Sequence, residues 1–358
     1  MLRQAQASRR ALAAAIVLVG LIALPAVARA QSPELAMREF ASGQIKKGVR
    51  SIGFGGDGAT WGNYGLVYRD AGTALADAGI SSYTNGNDFT FTAVGATTPQ
   101  LWHGLAFYLI ALSQHAEQIH LSLSSPGLGA AHPVIGSGAN QALFAKIAAP
   151  LGGGFSAGVL LSYELSQFDA MTALGDPAPG SVHYATRWRP SGGAGVVWQP
   201  GPRVLVGTRV ILNHDHEVRT DMFGTTEGLA RSYEFRLGAS VMPWAGGILD
   251  LGATELYRRN GLNGATTTVL HPNLGVEQAI VVNTLFLRAG IDETSYGGGL
   301  TVRRRPLQLD VAYIYDLGRA RVGSLFGATS NSVLATLTFD MSWRPAPTAV
   351  APIAAPHP

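Results

Sequence analysis

The chain has 358 residues, of which 47% are apolar and only 14% charged, with 45 Gly, 19 Pro and no Cys. The lack of cysteine excludes a disulfide scaffold, a zinc-thiolate centre and a cysteine nucleophile, and the charged fraction lies well below the ~25% of an ordinary soluble domain. The formal charge of +3 does not mark a nucleic-acid binder, because it resides in Arg3, Arg9, Arg10 and Arg29; without the first 30 residues, 22 bases face 23 acids.

Residues 1–30 run from the basic MLRQAQASRR through the apolar ALAAAIVLVGLIALPAV to Ala28-Arg29-Ala30. This order of charged, apolar and small residues predicts a secretory signal peptide cut after Ala30. A retained anchor is the alternative, against which Pro25 and the small residues at the exit argue. Past this segment no stretch approaches the ~18 uninterrupted apolar residues of a spanning helix. A secreted domain, a periplasmic protein and a transmembrane barrel remain open.

Residues 31–85 are rich in Gly, Ala and small polar residues, with only a broken period of two. They are expected to form a glycine-rich hatch inside a barrel, in which Asn63, Arg69 and Asp70 meet polar groups of the lumen; a disordered leader is the other reading. On the hatch reading, deletion of 34–80 leaves the barrel intact and raises its permeability.

From residue 86 the pattern changes. Turn residues such as PLGGG at 150–154, QPGP at 199–202 and PWAGG at 243–247 separate stretches of about ten or more residues. Many alternate strictly. In LQLDVAYIYD, Leu307, Leu309, Val311, Tyr313 and Tyr315 share one face, and Asp310 and Ala312 lie on the other. In SYEFRLGASV, Tyr233, Phe235, Leu237, Ala239 and Val241 oppose Glu234 and Arg236. Sandwich strands usually run ~5 to 6 residues, whereas a tilted membrane strand needs ~9 to 11 with its apolar side facing lipid. The length decides for an all-β transmembrane antiparallel barrel over 86–343, of about fourteen strands. They are expected near 86–98, 101–113, 117–125, 139–149, 152–170, 182–199, 202–219, 229–244, 246–260, 270–281, 283–294, 296–305, 307–318 and 331–343. Trp102, Tyr163, Trp198, Trp244, Tyr257 and Trp343 fall toward strand ends, as an interfacial aromatic girdle requires. The Pro/Ala-rich tail 344–358 cannot keep a sheet ladder.

With these features in place the chain resembles the FadL/TodX family of outer-membrane transport proteins for hydrophobic compounds. The resemblance is carried by GFGGDGATWGNYGLVYRDAGTALADAG, Gly53 to Gly79, which is similar to the family's N-terminal segment. It is also carried by the late strands, where Gly275, Arg288 to Gly290, Gly297 to Gly299, and Asp310 with Ala312 and Tyr313 match. It implies a 14-stranded barrel plugged by an N-terminal hatch, residence in the outer membrane of a Gram-negative envelope, and passage of fatty-acid-like or hydrocarbon-like molecules. Outer-membrane lipid, a hydrophobic small-molecule substrate and the barrel-assembly machinery are the implied partners of a monomer.

The residues themselves offer little competing chemistry. His214 and His216 in NHDHE share one side of a strand or loop but lack the four-ligand set of a structural metal site, and His115 and His120 miss the HExxH spacing. Ser162, Ser166, His183, Ser232 and Asp310 are the residue types of a barrel hydrolase without a GxSxG turn to commit a nucleophile. Arg303, Arg304 and Arg305 before Pro306 either touch lipid phosphate or form a solvated turn. No basic surface interleaved with aromatics supports nucleic acid. The sequence thus predicts no enzyme, no metal and no cofactor. In LWHGLAFYLIAL both faces are apolar, and a lumen containing Leu105 and Phe107 on one wall and Glu234, Arg236, Arg288 and Asp310 on another is the expected transport path. A general diffusion porin and a non-transporting structural barrel are the alternatives.

Overall fold

The computed structural model describes residues 59–341 apart from 61–62, 71, 84–87, 102–103, 124–131, 173–181, 188, 222–223, 260, 262–263, 265, 293–294 and 317–329. The signal segment 1–30, residues 31–58 and the tail 344–358 lie outside the described residues, as do Trp102 and Trp343.

One short 3-10 helix, η1 (Tyr64–Asp70), precedes fifteen strand segments. These are β1 (Thr73–Tyr83), β2 (Asp88–Thr97), β3 (Ala106–Leu123), β4 (His132–Gly152), β5 (Phe155–Thr172), β6 (Val182–Arg187), β7 (Arg189–Gly201) and β8 (Val204–Asp221). The second half comprises β9 (Gly224–Val241), β10 (Gly247–Arg259), β11 (Thr266–Val281), β12 (Leu285–Asp292), β13 (Ser295–Arg304), β14 (Leu307–Asp316) and β15 (Ser330–Asp340). β6 and β7 are successive halves of one stave, since both pair with β5 on one side and β8 on the other. Every other neighbour pair is antiparallel and sequential, and β1 pairs with β15 from Thr73↔Asp340 to Tyr83↔Ser330. The sheet is therefore closed, with 14 staves and no free edge, the condition for satisfying backbone groups within lipid.

Period two sets the two faces. The outward set on β9 and β10 includes Phe235, Leu237 and Leu251, which stand 42%, 53% and 50% exposed, while Arg236 and Asp250 between them are 1% and 0% exposed. Large apolar side chains presented outward around the whole wall make this a membrane barrel. Stacked aromatic pairs bound the apolar band: Phe155 and Trp198 at 5.7 Å near the tight turns, Tyr233 and Tyr257 at 5.0 Å near the opposite end. On β9 the band runs nine residues from Val241 to Tyr233, eight rises that give about 20 Å in height at the ~40° tilt of such strands, close to the ~25 Å apolar band of outer-membrane barrels. The β4–β5 turn holds Gly152, Gly153 and Gly154 at φ of 87°, 59° and 81°, which assigns the first glycine triplet to a turn. The second, Gly297 to Gly299, lies within β13.

The count of fourteen agrees with the sequence, but two of the expected strands are corrected. β1 lies in the stretch assigned to the hatch, so the wall begins at Thr73 and not at residue 86. It escapes notice because three of its outward positions, Ala74, Ala76 and Ala78, are small residues of low strand propensity and only Ile80 on that face is large and apolar. The segments expected at 101–113 and 117–125 are one strand, β3, whose polar SQHAEQ marks the point where it leaves the apolar band and continues beyond it. A deletion of 34–80 would remove β1 and open the barrel.

Candidate functional site

The inward positions divide the lumen into two unlike halves. On β2 to β8, Ala93, Leu112, Ala142, Phe144, Leu160 and Ile211 form one buried apolar cluster against Ile110. Glycine makes room there: Gly193 on β7 stands between Leu160 and Ile211 in register, so the two larger side chains meet across it.

The other half is ionic. On β11 to β14, the Arg288 guanidinium contacts the Glu277 carboxylate, donates to Asp310 at 3.3 Å and bonds Thr301, which bonds Asp310 as well. Gln308 donates to the second Asp310 oxygen at 2.6 Å and receives Arg303 at 2.7 Å. Arg288, Glu277 and Asp310 are 7%, 2% and 4% exposed, and each charge has an opposite one in contact, which is how buried ions persist. On β8 and β9, Glu234 lies between two arginines, 2.6 Å from Arg236 and 3.3 Å from Arg209. Asp77 of β1, directly opposite Thr336 of β15, extends the polar wall. At the apolar border Lys146 sits 4.7 Å over the Tyr108 ring.

Residues 59–60 and 63–70 fill part of the lumen near the tight-turn end. Asn63 is 2% exposed. Its side-chain amide donates to the carbonyls of Ala59, Thr208 and Val196 at 2.7, 2.9 and 3.3 Å, and its oxygen accepts the Gly65 N–H at 2.9 Å. Val196 and Thr208 are a cross-strand pair of β7 and β8, so one amide ties this segment to two staves. Thr60 donates to Asp250 at 2.7 Å and receives Ser240 at 2.9 Å. Leu66 packs with Val197 and Leu205, and Arg69 donates to Gln199 at 2.7 Å. Two wall glycines admit the segment: a Cβ on Gly207 would lie 1.8 Å from the Ala59 carbonyl oxygen, and one on Gly195 would lie 2.3 Å from the Asn63 side-chain oxygen.

Among the residues singled out from the sequence, Glu234 with Arg236 and Arg288 with Asp310 thus face the lumen in two separate networks. The Asp70 side chain lies outside the described residues. Phe107 is a correction: it points outward, 38% exposed, while Tyr108 and Ile110 take the inner face, and Leu105 precedes the first residue of β3. With both faces of that stretch apolar, its own pattern cannot fix the phase; pairing with Lys146 and Phe144 does. Sequence reading missed Asp250, Glu277, Arg209, Gly195 and Gly207. Asp250, a lone acid in GILDLG, carried a signal, whereas the glycines matter only for what passes beside them.

Of the hydrolase residue types, the Ser166 side chain lies outside the described residues and the others stand apart. Ser162 faces the lumen, buried, whereas His183 is outward and contacts Asp169 on the neighbouring stave. Asp310 is engaged by Arg288, and Ser232 receives Asn213 at 3.3 Å. Among the described residues no three His, Asp or Glu side chains converge as a metal site. His216 instead pairs with Glu227 at 3.0 Å.

No family model and no curated protein sequence matches the chain. Solved structures do. The toluene transporter TodX of Pseudomonas putida superposes with a TM-score of 0.57 at 10% identity, over 82% of this chain and 98% of that one. The toluene transporter TbuX of Ralstonia pickettii gives 0.54 at 12% identity, over 83% and 98%, and a FadL homologue of Pseudomonas aeruginosa 0.52 at 13%, over 78% and 93%. The first two of these neighbours are toluene transporters, and the fold of this chain is a FadL/TodX-like 14-stranded barrel.

Proposed function

We propose that the protein is an outer-membrane passive channel for hydrophobic or amphipathic small molecules of the fatty-acid or hydrocarbon type, with its N-terminal segment serving as a hatch. The observation that supports this reading most is the two-sided lumen, in which Phe144, Leu160 and Ile211 form a closed apolar cluster opposite an ionic wall. An apolar solute that parts this cluster replaces its internal contacts and is itself taken out of water, a gain of roughly 1.5–3 kcal/mol for a group the size of a large side chain. The charges opposite satisfy one another in a buried network and present no free ion to the solute. The toluene transporters of similar fold support the same substrate class.

Uptake of a labelled monoaromatic hydrocarbon and of a small sugar by a porin-deficient Gram-negative host tests the proposal. Wild-type protein should raise hydrocarbon entry well above sugar entry, and Leu160→Asn with Leu112→Asn should lower it about tenfold. Equal entry of both solutes would establish a general porin instead, and no gain for either would establish a structural barrel. Deletion of 34–70, which spares β1, should raise sugar entry if the segment is a hatch; unchanged entry would remove the hatch from the reading.

A further inference from the structure

We propose that the outward row His214, Arg231 and Arg259 is a binding site for the phosphate group of an outer-leaflet lipid. The three residues lie directly opposite one another on adjacent staves: His214 of β8 against Arg231 of β9, and Arg231 against Arg259 of β10. All three are exposed on the outer face. Like charges placed opposite one another across a sheet are destabilising, and the acids nearby do not relieve them. Glu227 is held by His216 at 3.0 Å, Glu255 by the Tyr233 hydroxyl at 3.1 Å, and Glu217 lies on the inner face with Arg258 at 3.7 Å. Among the described residues no carboxylate pairs with Arg231 or Arg259.

The height of the row selects the occupant. It stands one step beyond the stacked Tyr233 and Tyr257, on the side away from the tight turns. Short turns face the periplasm in such barrels, so the row meets the headgroup level of the outer leaflet. Below it on the same outer face stand Leu212 and Phe235, and further down Leu251, 49%, 42% and 50% exposed, apolar surface against which an acyl chain lies; Glu255, level with Phe235, is capped by the Tyr233 hydroxyl. Two guanidiniums side by side fit the oxygens of a phosphate, the group that arginine grips in bidentate fashion. Phosphate above and acyl chain below define an anionic lipid more closely than a free ion or an acidic peptide. Of the proposed transport reading this site requires only the orientation in the outer membrane.

The test uses the folded, delipidated mature barrel in uncharged detergent. Binding of a bisphosphorylated, acylated glucosamine disaccharide is measured by native mass spectrometry, beside its dephosphorylated form and inorganic phosphate. The wild type should bind the phosphorylated lipid about tenfold or more tightly than the dephosphorylated one. Arg231→Ser with Arg259→Ser should erase that difference, the single Arg231→Ser should reduce it, and Arg304→Ser with Arg305→Ser at the tight-turn end should preserve it. Equal affinity for both lipids, an unchanged preference in the double variant, an equal loss in the turn-end control, or displacement of lipid by millimolar inorganic phosphate would each overturn the proposal. Hydrocarbon uptake should be the same in all these variants, which separates failure of this site from failure of the transport reading.

Discussion

Gly207→Val examines the seating of the lumenal segment with one side chain. The position faces inward on β8 between Leu205 and Arg209, so the strand itself accepts a β-branched residue. The Ala59 carbonyl does not, because it would stand 1.8 Å from the new Cβ. Restoring ordinary contact moves the segment by roughly 1.5 Å. At that displacement the Asn63 bonds to Thr208 and Val196, now 2.9 and 3.3 Å, both exceed hydrogen-bond length. Two lost bonds amount to ~2 kcal/mol, while the Asn63 bonds to Ala59 and Gly65 lie within the segment and move with it. A shift of ~2 kcal/mol changes the ratio of seated to unseated segment by about thirtyfold. Single-channel recordings in planar bilayers read this directly, as longer and larger openings for Gly207→Val. Gly298→Ala is the control, since its Cβ meets nothing nearer than a carbonyl at 3.8 Å. Equal conductance of Gly207→Val and wild type, with both proteins folded, would refute the reasoning.

Other outcomes follow from the two faces of the wall. Leu237→Arg, in the middle of the outward apolar band, should cost ~2–4 kcal/mol in reversible folding titrations with lipid vesicles; a cost within error of zero would deny that this face meets hydrocarbon. Nitroxides at Val311 and Ala312 should be relaxed preferentially by oxygen and by a water-soluble agent respectively, and the reverse order would invert the assignment of β14. Arg288→Met leaves Glu277 and Asp310 buried without their cation and should destabilise the barrel by ~3–5 kcal/mol, with partial recovery when Glu277→Gln and Asp310→Asn are added; additive losses would show that the three do not form one network. Glu217→Gln weakens the carboxylate that accepts the Gly261 N–H at 3.1 Å, so amide exchange at Gly261 should quicken several-fold, and unchanged exchange would show that this contact does not hold the β10–β11 connection.

The wall was legible wherever one face was apolar and the other charged. In β14 the order Leu309, Asp310, Val311 fixes phase and burial together, and in β9 Glu234 and Arg236 do the same, because an ion cannot face lipid. Legibility failed where that contrast was missing. Ala74, Ala76 and Ala78 do not announce a strand, yet pairing with β2 and β15 on both sides holds β1 in place. Phe107 and Tyr108 were interchangeable by pattern, and only neighbours distant in sequence decide between them. The division of the lumen was foreseen as a mixture of apolar and charged walls, but not its geography, since the apolar cluster draws only one or two residues from each of five staves. The seating of Asn63 was beyond reach for a related reason: its wall partners are main-chain carbonyls and glycines, which leave no side-chain signature.

The seam between β1 and β15 has a consequence for the order in which the molecule comes into being. Thr73 and Asp340 are partners at nearly opposite ends of the described chain, so this ladder has the greatest loop-closure cost in the barrel and is the last to be entropically cheap. Until it zips, β1 and β15 are open templates carrying unpaired backbone groups. Nascent or truncated chains ending before Ser330 would therefore remain sticky ribbons however well their internal hairpins had formed. Biogenesis is a race between docking of the final strand and edge-to-edge polymerisation of the unfinished sheet.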